Sequence, residues 1–148
     1  MPGENIKTTD DAQIRTLIDH RGNAVGSKDV DALMSTVARV SVSYDVVDPL
    51  QYVGSDEIRK RAEEWFSSFE SAIGFEVRDL SIAAGDDVAF SHCVTRVSGT
   101  TKDGKEIDMW LRTTTCYRKL NDKWMVTHEH NSVPFDVSSG KASLDLTP

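Results

Sequence analysis

The sequence predicts an α+β domain in which about three N-terminal helices pack on one face of a curved antiparallel sheet. Apolar residues recur at helical spacing over roughly the first 70 residues, and from Gly74 onward they alternate with polar residues along four successive segments. The connections between these segments, near residues 85–87, 102–105 and 121–122, are short enough for hairpins. Helices followed by an antiparallel meander are typical of α+β proteins and not of alternating βαβ units.

The first helix is expected at about residues 10–25, followed by a short second one. Thr8 and Asp11 stand in the positions of a capping box, and Gly26 marks the end of the helix. Ser27 is placed to cap the second helix. The apolar stripe of the first helix consists of Ile14, Leu17, Ile18 and Val25.

A short strand and a third helix are expected next. In VSVSYDVVDPL, apolar and polar residues alternate, Tyr44 falls on the apolar side, and Asp48 with Pro49 ends the strand in a turn. The third helix begins after Ser55. Its apolar face consists of Ile58, Ala62, Trp65, Phe66 and Phe69.

Four longer strands complete the predicted domain. They read, in order, FEVRDLSIAA, DVAFSHCVTRVSG, EIDMWLRTTTCYRKL and KWMVTHEHNSV. A chain of 148 residues fits a single domain, and we expect its core at about residues 8–135, with 136–148 as a mobile tail.

Composition excludes several classes of function. A net charge of -7 and a sequence pI near 5.0, without a basic cluster, argue against nucleic-acid binding and leave a small uncharged or cationic ligand open. Cys93 and Cys116 alone form neither a disulfide framework nor a zinc site. Because no leader and no long apolar run is present, we expect a cytoplasmic protein without a membrane partner.

The segments AFSHC, DMWLRTT and KWMVTHEHNSVP carry a family resemblance. Together with the element order, they resemble the nuclear transport factor 2-like (cystatin-like) superfamily, in the ketosteroid-isomerase-homologue and polyketide-cyclase-like branch. This branch is similar to the association domain of calcium/calmodulin-dependent kinase. The resemblance implies a cone with an internal pocket and no metal. Isomerases of the superfamily use a carboxylate base with a tyrosine and a protonated acid, and Tyr44 and Asp45 are the nearest candidates here.

The histidines define the face of the sheet that we expect to line the pocket. Two-residue turns in the last two hairpins would place Thr115 opposite both His92 and His128. The same turns would place Thr113 opposite His130. This face is apolar enough to be the concave, helix-covered side. Its apolar members would be Phe90, Val94, Leu111, Tyr117, Trp124 and Val126.

The opposite face suits a homodimer interface, with Arg112 contacting Glu129 or Asn131. A single β-bulge would exchange the two faces beyond it, because a one-residue slip turns every following side chain over. The residues predicted on this face are Asp108, Trp110, Arg112, Thr114, Met125, Glu129 and Asn131.

His92, His128 and His130 are the predicted catalytic residues. A histidine in an apolar pocket can act as base and then as acid, because its ordinary pKa is about 6.5. Two alternatives stay open: structural histidines held by threonine hydroxyls or backbone, or a metal site in which the H-x-H pair is joined by His92.

Four other residues are predicted to bind the ligand. Arg112 could clamp a carboxylate with two hydrogen bonds, although an interface or intramolecular ion pair is equally open. Trp65 and Trp110 would wall the cavity, although tryptophans are more often core residues. Tyr44 is the fourth.

Three functions compete at this point. The first is an isomerase, cyclase or hydrolase that acts by acid/base catalysis on a small apolar molecule without a cofactor. The second is a non-catalytic binding protein that uses the same pocket. The third is an oligomerisation module that uses the outer face of the sheet. We favour a small-molecule pocket protein that forms a homodimer.

Overall fold

The computed structural model of the protein describes residues 9–148 and confirms the α+β architecture. Helices occupy the first half of the chain and the long strands occupy the second half. The elements are α1 (Asp10–Gly26), α2 (Val30–Met34), β1 (Val37–Tyr44), β2 (Tyr52–Val53), α3 (Ser55–Ser67), β3 (Gly74–Ala84), β4 (Val88–Thr100), β5 (Glu106–Leu120) and β6 (Lys123–Ser132). None of the helices in this part of the chain has the length and apolarity that a membrane crossing requires.

The six strands form one curved sheet in the order β2-β1-β6-β5-β4-β3. All neighbouring strands are antiparallel except β1 and β6, which run parallel. The meander of β3 to β6 agrees with the sequence-based expectation, whereas the partner of β1 was not predicted. The parallel pairing places the end of β1 beside the end of β6, because Ser43 pairs with Glu129 and Tyr44 with His130.

The helix ends are capped one or two residues from the predicted positions. Thr9 caps α1, since its Oγ1 accepts a hydrogen bond from the amide of Ala12 at 3.1 Å. The predicted cap, Thr8, lies outside the described residues. Asp29 caps α2 through the amide of Ala32 at 3.0 Å, whereas the predicted cap, Ser27, instead follows the last turn of α1.

Two groups of buried side chains hold the helices against the sheet. Ile14 of α1 packs with Tyr117, Trp124 and Val126, while Val25 at the other end of α1 belongs to the second group. The second group consists of Val25, Phe66, Phe69, Ile73 and Val97. Burial of apolar side chains at roughly 25 cal/mol per Å² is the main driving force for this arrangement.

The turn between β5 and β6 has the predicted two residues, but a bulge follows it. Asn121 and Asp122 adopt positive φ values of 51° and 62°, as a type I′ turn requires. Tyr117 pairs with Val126 as predicted, whereas the next pair is Cys116 with His128. Thr127 is therefore the extra residue of a β-bulge, and every side chain of β6 beyond it is turned over.

The connection between β4 and β5 is longer than the predicted two-residue turn. Thr100 pairs with Glu106, which leaves residues 101–105 in the loop and moves the register by one residue. His92 consequently lies opposite Thr114 and not opposite Thr115. The two register changes together place the three histidines on the outer, convex side of the sheet, contrary to expectation. Tyr117, Trp124 and Val126 face the helices as expected.

Candidate functional site

A cavity of about 390 Å³ lies between the helices and the concave face of the sheet. This volume falls within the range of small-molecule sites in proteins. The sheet contributes the side chains that point to its concave side, whereas the histidines of β4 and β6 point to its convex side. The walls are mainly apolar and include Ile18, Val25, Leu33, Trp65, Phe69, Phe75, Val97, Ile107, Met109 and Leu111.

One end of the cavity contains a guanidinium–carboxylate pair. Arg21 of α1 donates from Nη2 to Glu129 Oε2 of β6 at 3.0 Å, and from Nη1 to Thr36 Oγ1 at 2.6 Å. The side chains of Arg21 and Glu129 are only 15% and 25% exposed. An ion pair this far from water interacts more strongly than a surface pair, because solvent screens it less.

A row of polar side chains continues from Glu129 across the sheet. Thr115 donates to Glu129 Oε2 at 3.2 Å, and Asn131 donates from Nδ2 to Glu129 Oε1 at 3.2 Å. Thr113 donates to Asn131 Oδ1 at 2.7 Å and lies 3.0 Å from the hydroxyl of Thr95. Four polar side chains of the concave face are therefore joined, directly or through one another, to one carboxylate.

Tyr117 and Ser91 form a second polar pair on the cavity wall, with their hydroxyls 2.8 Å apart. Burial raises the pKa of the Tyr117 hydroxyl above its ordinary value, and the hydrogen bond with Ser91 and the charge of Arg21 oppose this rise only in part. The phenol is therefore a neutral hydrogen-bonding group at physiological pH. Burial also raises the pKa of the Cys93 thiol, which lines the same wall.

A second ion pair lies where β1 leaves the sheet. Arg61 of α3 donates from Nε to Asp45 Oδ2 at 3.0 Å, and both residues line the cavity. Tyr44 pairs with His130, so the backbone of Asp45 leaves the sheet beside Asn131. The pKa of the neighbouring Tyr52 is raised, chiefly by burial and against the charge of Arg61.

The predicted catalytic histidines lie outside this cavity. His128 and His130 contact Tyr44 edge-on, with ring centroids 4.6 and 5.3 Å from the tyrosine ring. His128 Nδ1 is 2.7 Å from the carbonyl oxygen of Val42. His92 is exposed in the same outer row, since Thr114 pairs with both His92 and His130. The expectation that the histidines line the concave face is wrong, whereas Leu111 and Tyr117 line the cavity as expected. Catalysis by the histidines stays a prediction.

Of the four predicted ligand-binding residues, Trp65 lines the cavity. Tyr44, Trp110 and Arg112 lie on the outer face of the sheet. Their neighbours along the strands, Ser43, Met109 and Leu111, line the cavity, and successive side chains of a strand point to opposite faces. Arg112 is exposed and donates from Nε to Ser132 Oγ at 3.1 Å, so its expected contact with Glu129 or Asn131 is absent from the described hydrogen bonds.

Arg21 was not predicted from the sequence, and Glu129 and Asn131 were predicted on the opposite face. The signal for Arg21 was its position on the stripe of α1, because Ile14, Ile18 and Val25 precede and follow it at helical spacing. A charged residue on such a stripe indicates a buried partner. Within residues 9–148, no group of three or more His, Cys, Asp or Glu residues is arranged to hold a metal ion.

Comparison with known families confirms the resemblance. The sequence profile of the SnoaL-like domain matches residues 14–136. No curated protein sequence matches significantly.

Solved structures with the same fold cover most of the chain. An NTF2-like protein of unknown function from Pseudomonas putida is 29% identical, with a TM-score of 0.86 over 96% of this chain and 100% of that chain. A putative calcium/calmodulin-dependent kinase II association domain from Xanthomonas campestris is 20% identical, with a TM-score of 0.76 over 88% and 91%. A ketosteroid isomerase-like protein from Erwinia carotovora is 20% identical, with a TM-score of 0.71 over 82% and 93%.

Proposed function

We propose that this chain, which belongs to the SnoaL-like domain family, binds a small, largely apolar organic molecule and acts on it as a cofactor-independent isomerase or cyclase by acid/base catalysis. The observation that carries the proposal is the carboxylate of Glu129, held by Arg21 at the edge of an apolar cavity of about 390 Å³. A fixed carboxylate in an apolar cavity is the arrangement that proton transfer to and from carbon requires.

In the proposed reaction, Glu129 takes a proton from a carbon next to a carbonyl group of the ligand. The C–H bond breaks, its electron pair forms an enolate, and the proton is held on the carboxylate until it returns to the same or another carbon. We assign the hydroxyls of Tyr117 and Ser91, 2.8 Å apart on the cavity wall, as the hydrogen-bond donors that stabilise the enolate oxygen. No cofactor is needed for these steps.

Deuterium exchange of 2-tetralone tests this function. In deuterated buffer, the protein should accelerate exchange of the protons next to the ketone, as followed by proton NMR. Glu129→Gln should reduce the acceleration at least about 100-fold, in line with the typical contribution of a general base. Glu76→Gln, which neutralises an exposed carboxylate on β3, is the matched control and should exchange as the unmodified protein does.

The outcome also separates catalysis from binding. Line broadening of the 2-tetralone signals without accelerated exchange would favour the non-catalytic binding protein. Exchange that persists in Glu129→Gln but disappears in His128→Ala would return the catalytic role to the histidine cluster on the outer face.

We also propose that two copies of the chain pair through the outer face of the sheet. Large side chains remain accessible there: Val88 and Phe90 are 50% and 49% exposed, and Tyr44 is 39% exposed. Exposed apolar patches of this kind are typical of protein–protein interfaces. The structural likeness to a putative kinase association domain is consistent with assembly as an additional role.

A further inference from the structure

The hydrogen bonds around Glu129 have only one consistent direction. A carboxylate can only accept hydrogen bonds, so Asn131 must turn its amide nitrogen toward Glu129 Oε1, at 3.2 Å. The amide oxygen of Asn131 then faces Thr113, which must donate to it at 2.7 Å. Because the Thr113 proton is used in this way, Thr95 must donate to Thr113 across their 3.0 Å contact.

The hydrogen bond at the start of the row also has a fixed direction. Thr95 donates its hydroxyl proton to Thr113, so the Thr95 oxygen accepts the hydrogen bond from the thiol of Cys93, whose sulfur lies 3.6 Å away. Donors therefore run in one direction, from Cys93 through Thr95, Thr113 and Asn131 to Glu129. The hydroxyl protons of Thr95 and Thr113 are therefore donated to protein atoms and are not available to a ligand.

The acceptor capacity of Glu129 is not fully used. Within residues 9–148, Oε2 receives two hydrogen bonds, from Arg21 and Thr115, whereas Oε1 receives one, from Asn131. Each carboxylate oxygen can accept about two hydrogen bonds, so one position on Oε1 is open.

Arg21 offers less to a ligand than its charge suggests. Its Nη1 donates to Thr36, which is 2% exposed and lies outside the cavity lining, and its Nη2 donates to Glu129. The charge of the guanidinium is therefore balanced by the carboxylate. Beside this charge-balanced pair, a ligand meets the open acceptor position of Glu129 at this end of the cavity.

We propose that the ligand is a hydroxylated apolar molecule, such as a phenol or an enol, whose hydroxyl donates a hydrogen bond to Glu129 Oε1. This inference rests on the proposed function only in requiring that the cavity binds a small molecule. Asn131, Thr113 and Thr95 are positioning residues in this arrangement, because their aligned hydrogen bonds fix the carboxylate and its open acceptor site.

Three matched probes test the preference: 2-naphthol, 2-methoxynaphthalene and naphthalene, with affinities measured by isothermal titration calorimetry. The hydroxyl donates, the methyl ether cannot, and the third probe measures the apolar contribution alone. We expect 2-naphthol to bind at least about tenfold more tightly than 2-methoxynaphthalene, as one hydrogen bond to a charged acceptor allows.

Two variants test whether the preference for a hydroxyl group arises from Glu129. The double variant Arg21→Met with Glu129→Leu removes both charges together, which avoids an unpaired buried charge and retains the fold. It should bind naphthalene at least as well as the unmodified chain does, and should bind 2-naphthol and its methyl ether within about twofold of each other. Glu76→Gln controls for loss of an exposed carboxylate and should retain the tenfold preference.

The outcomes separate this inference from the proposed function. Equal binding of 2-naphthol and its ether by the unmodified chain would overturn the inference and leave a ligand-binding cavity in place. A preference that survives in the double variant would also overturn it, because the acceptor would then lie elsewhere. If none of the three probes binds, both the cavity proposal and this inference fail.

Discussion

Arg21 and Glu129, 108 positions apart in the sequence, form an ion pair of 3.0 Å inside the cavity. The pair joins α1 to β6, the last strand, so it exists only when the domain has closed around its cavity. It therefore connects the stability of the fold to the geometry of the proposed site.

Replacement of Arg21 by alanine should lower the free energy of unfolding by about 1–3 kcal/mol, because it leaves the Glu129 carboxylate poorly solvated and without its strongest partner. Urea denaturation followed by circular dichroism measures the change. The matched control is Arg15→Ala, which breaks the exposed pair of Arg15 with Asp11 on the same helix and should have little effect. Equal losses in the two variants would contradict a special role for the buried pair.

Tyr117 should make the protein less stable at alkaline pH. Burial raises the pKa of its hydroxyl in the folded state above the ordinary value near 10. The unfolded chain therefore loses this proton first, and the stabilisation present below pH 10 decreases as the pH rises from 10 toward the folded pKa.

The measurement is the free energy of unfolding between pH 8 and pH 11, from urea titrations. Tyr117→Phe should show a shallower decrease above about pH 10 than the unmodified protein does. Tyr44→Phe removes an exposed hydroxyl on the outer face and controls for the loss of one phenol. An unchanged slope in Tyr117→Phe would show that other groups cause the alkaline destabilisation.

Gly99 and Gly104 give a test of packing between the sheet and the segment that follows α3. Both adopt positive φ values, 151° and 84°. A Cβ at Gly99 would lie 2.9 Å from Phe69 Cδ1, whereas a Cβ at Gly104 would meet no atom within 4 Å. Gly104→Ala should therefore cost about 1 kcal/mol from backbone strain alone. Gly99→Ala should cost about 2–4 kcal/mol, since overpacking adds to the strain. Thermal unfolding of the two variants should differ accordingly, and equal midpoints would refute the predicted clash.

Phe90 tests the proposed homodimer. Phe90→Glu places a charge in the accessible outer face and should shift the protein toward monomer, because an unpaired charge in an interface costs several kcal/mol. Sedimentation velocity at several protein concentrations measures the shift. Val137→Glu, at an exposed position outside the sheet, should leave the association state unchanged. A dimer that survives Phe90→Glu would place the interface elsewhere.

Local sequence patterns were sufficient for the elements of the fold. The stripe of α1 and the apolar face of α3 are periodic over several turns, and the long strands alternate over ten or more residues. The turn at Asn121 and Asp122 was also readable, because these residue types tolerate positive φ. Such patterns depend on the nearest neighbours along the chain, which the sequence displays directly.

Local patterns were not sufficient for the site. The bulge at Thr127 and the five-residue loop between β4 and β5 each change the pairing by one residue, and no composition signal marks either of them. Because side chains alternate with a period of two, the bulge exchanges His128 for Glu129 as the inward-facing residue, and the longer loop turns His92 outward.

The sequence by itself therefore determined the class of fold, the positions of its helices and of every strand but β2, and the resemblance to its superfamily. Tertiary structure alone decided which side of the sheet is concave and which distant residue meets Glu129. The physical reason is that the register depends on how the whole sheet closes over α1, where the apolar residues Tyr117, Trp124 and Val126 must face Ile14. One added residue in β6 meets that requirement and also turns a carboxylate into the cavity.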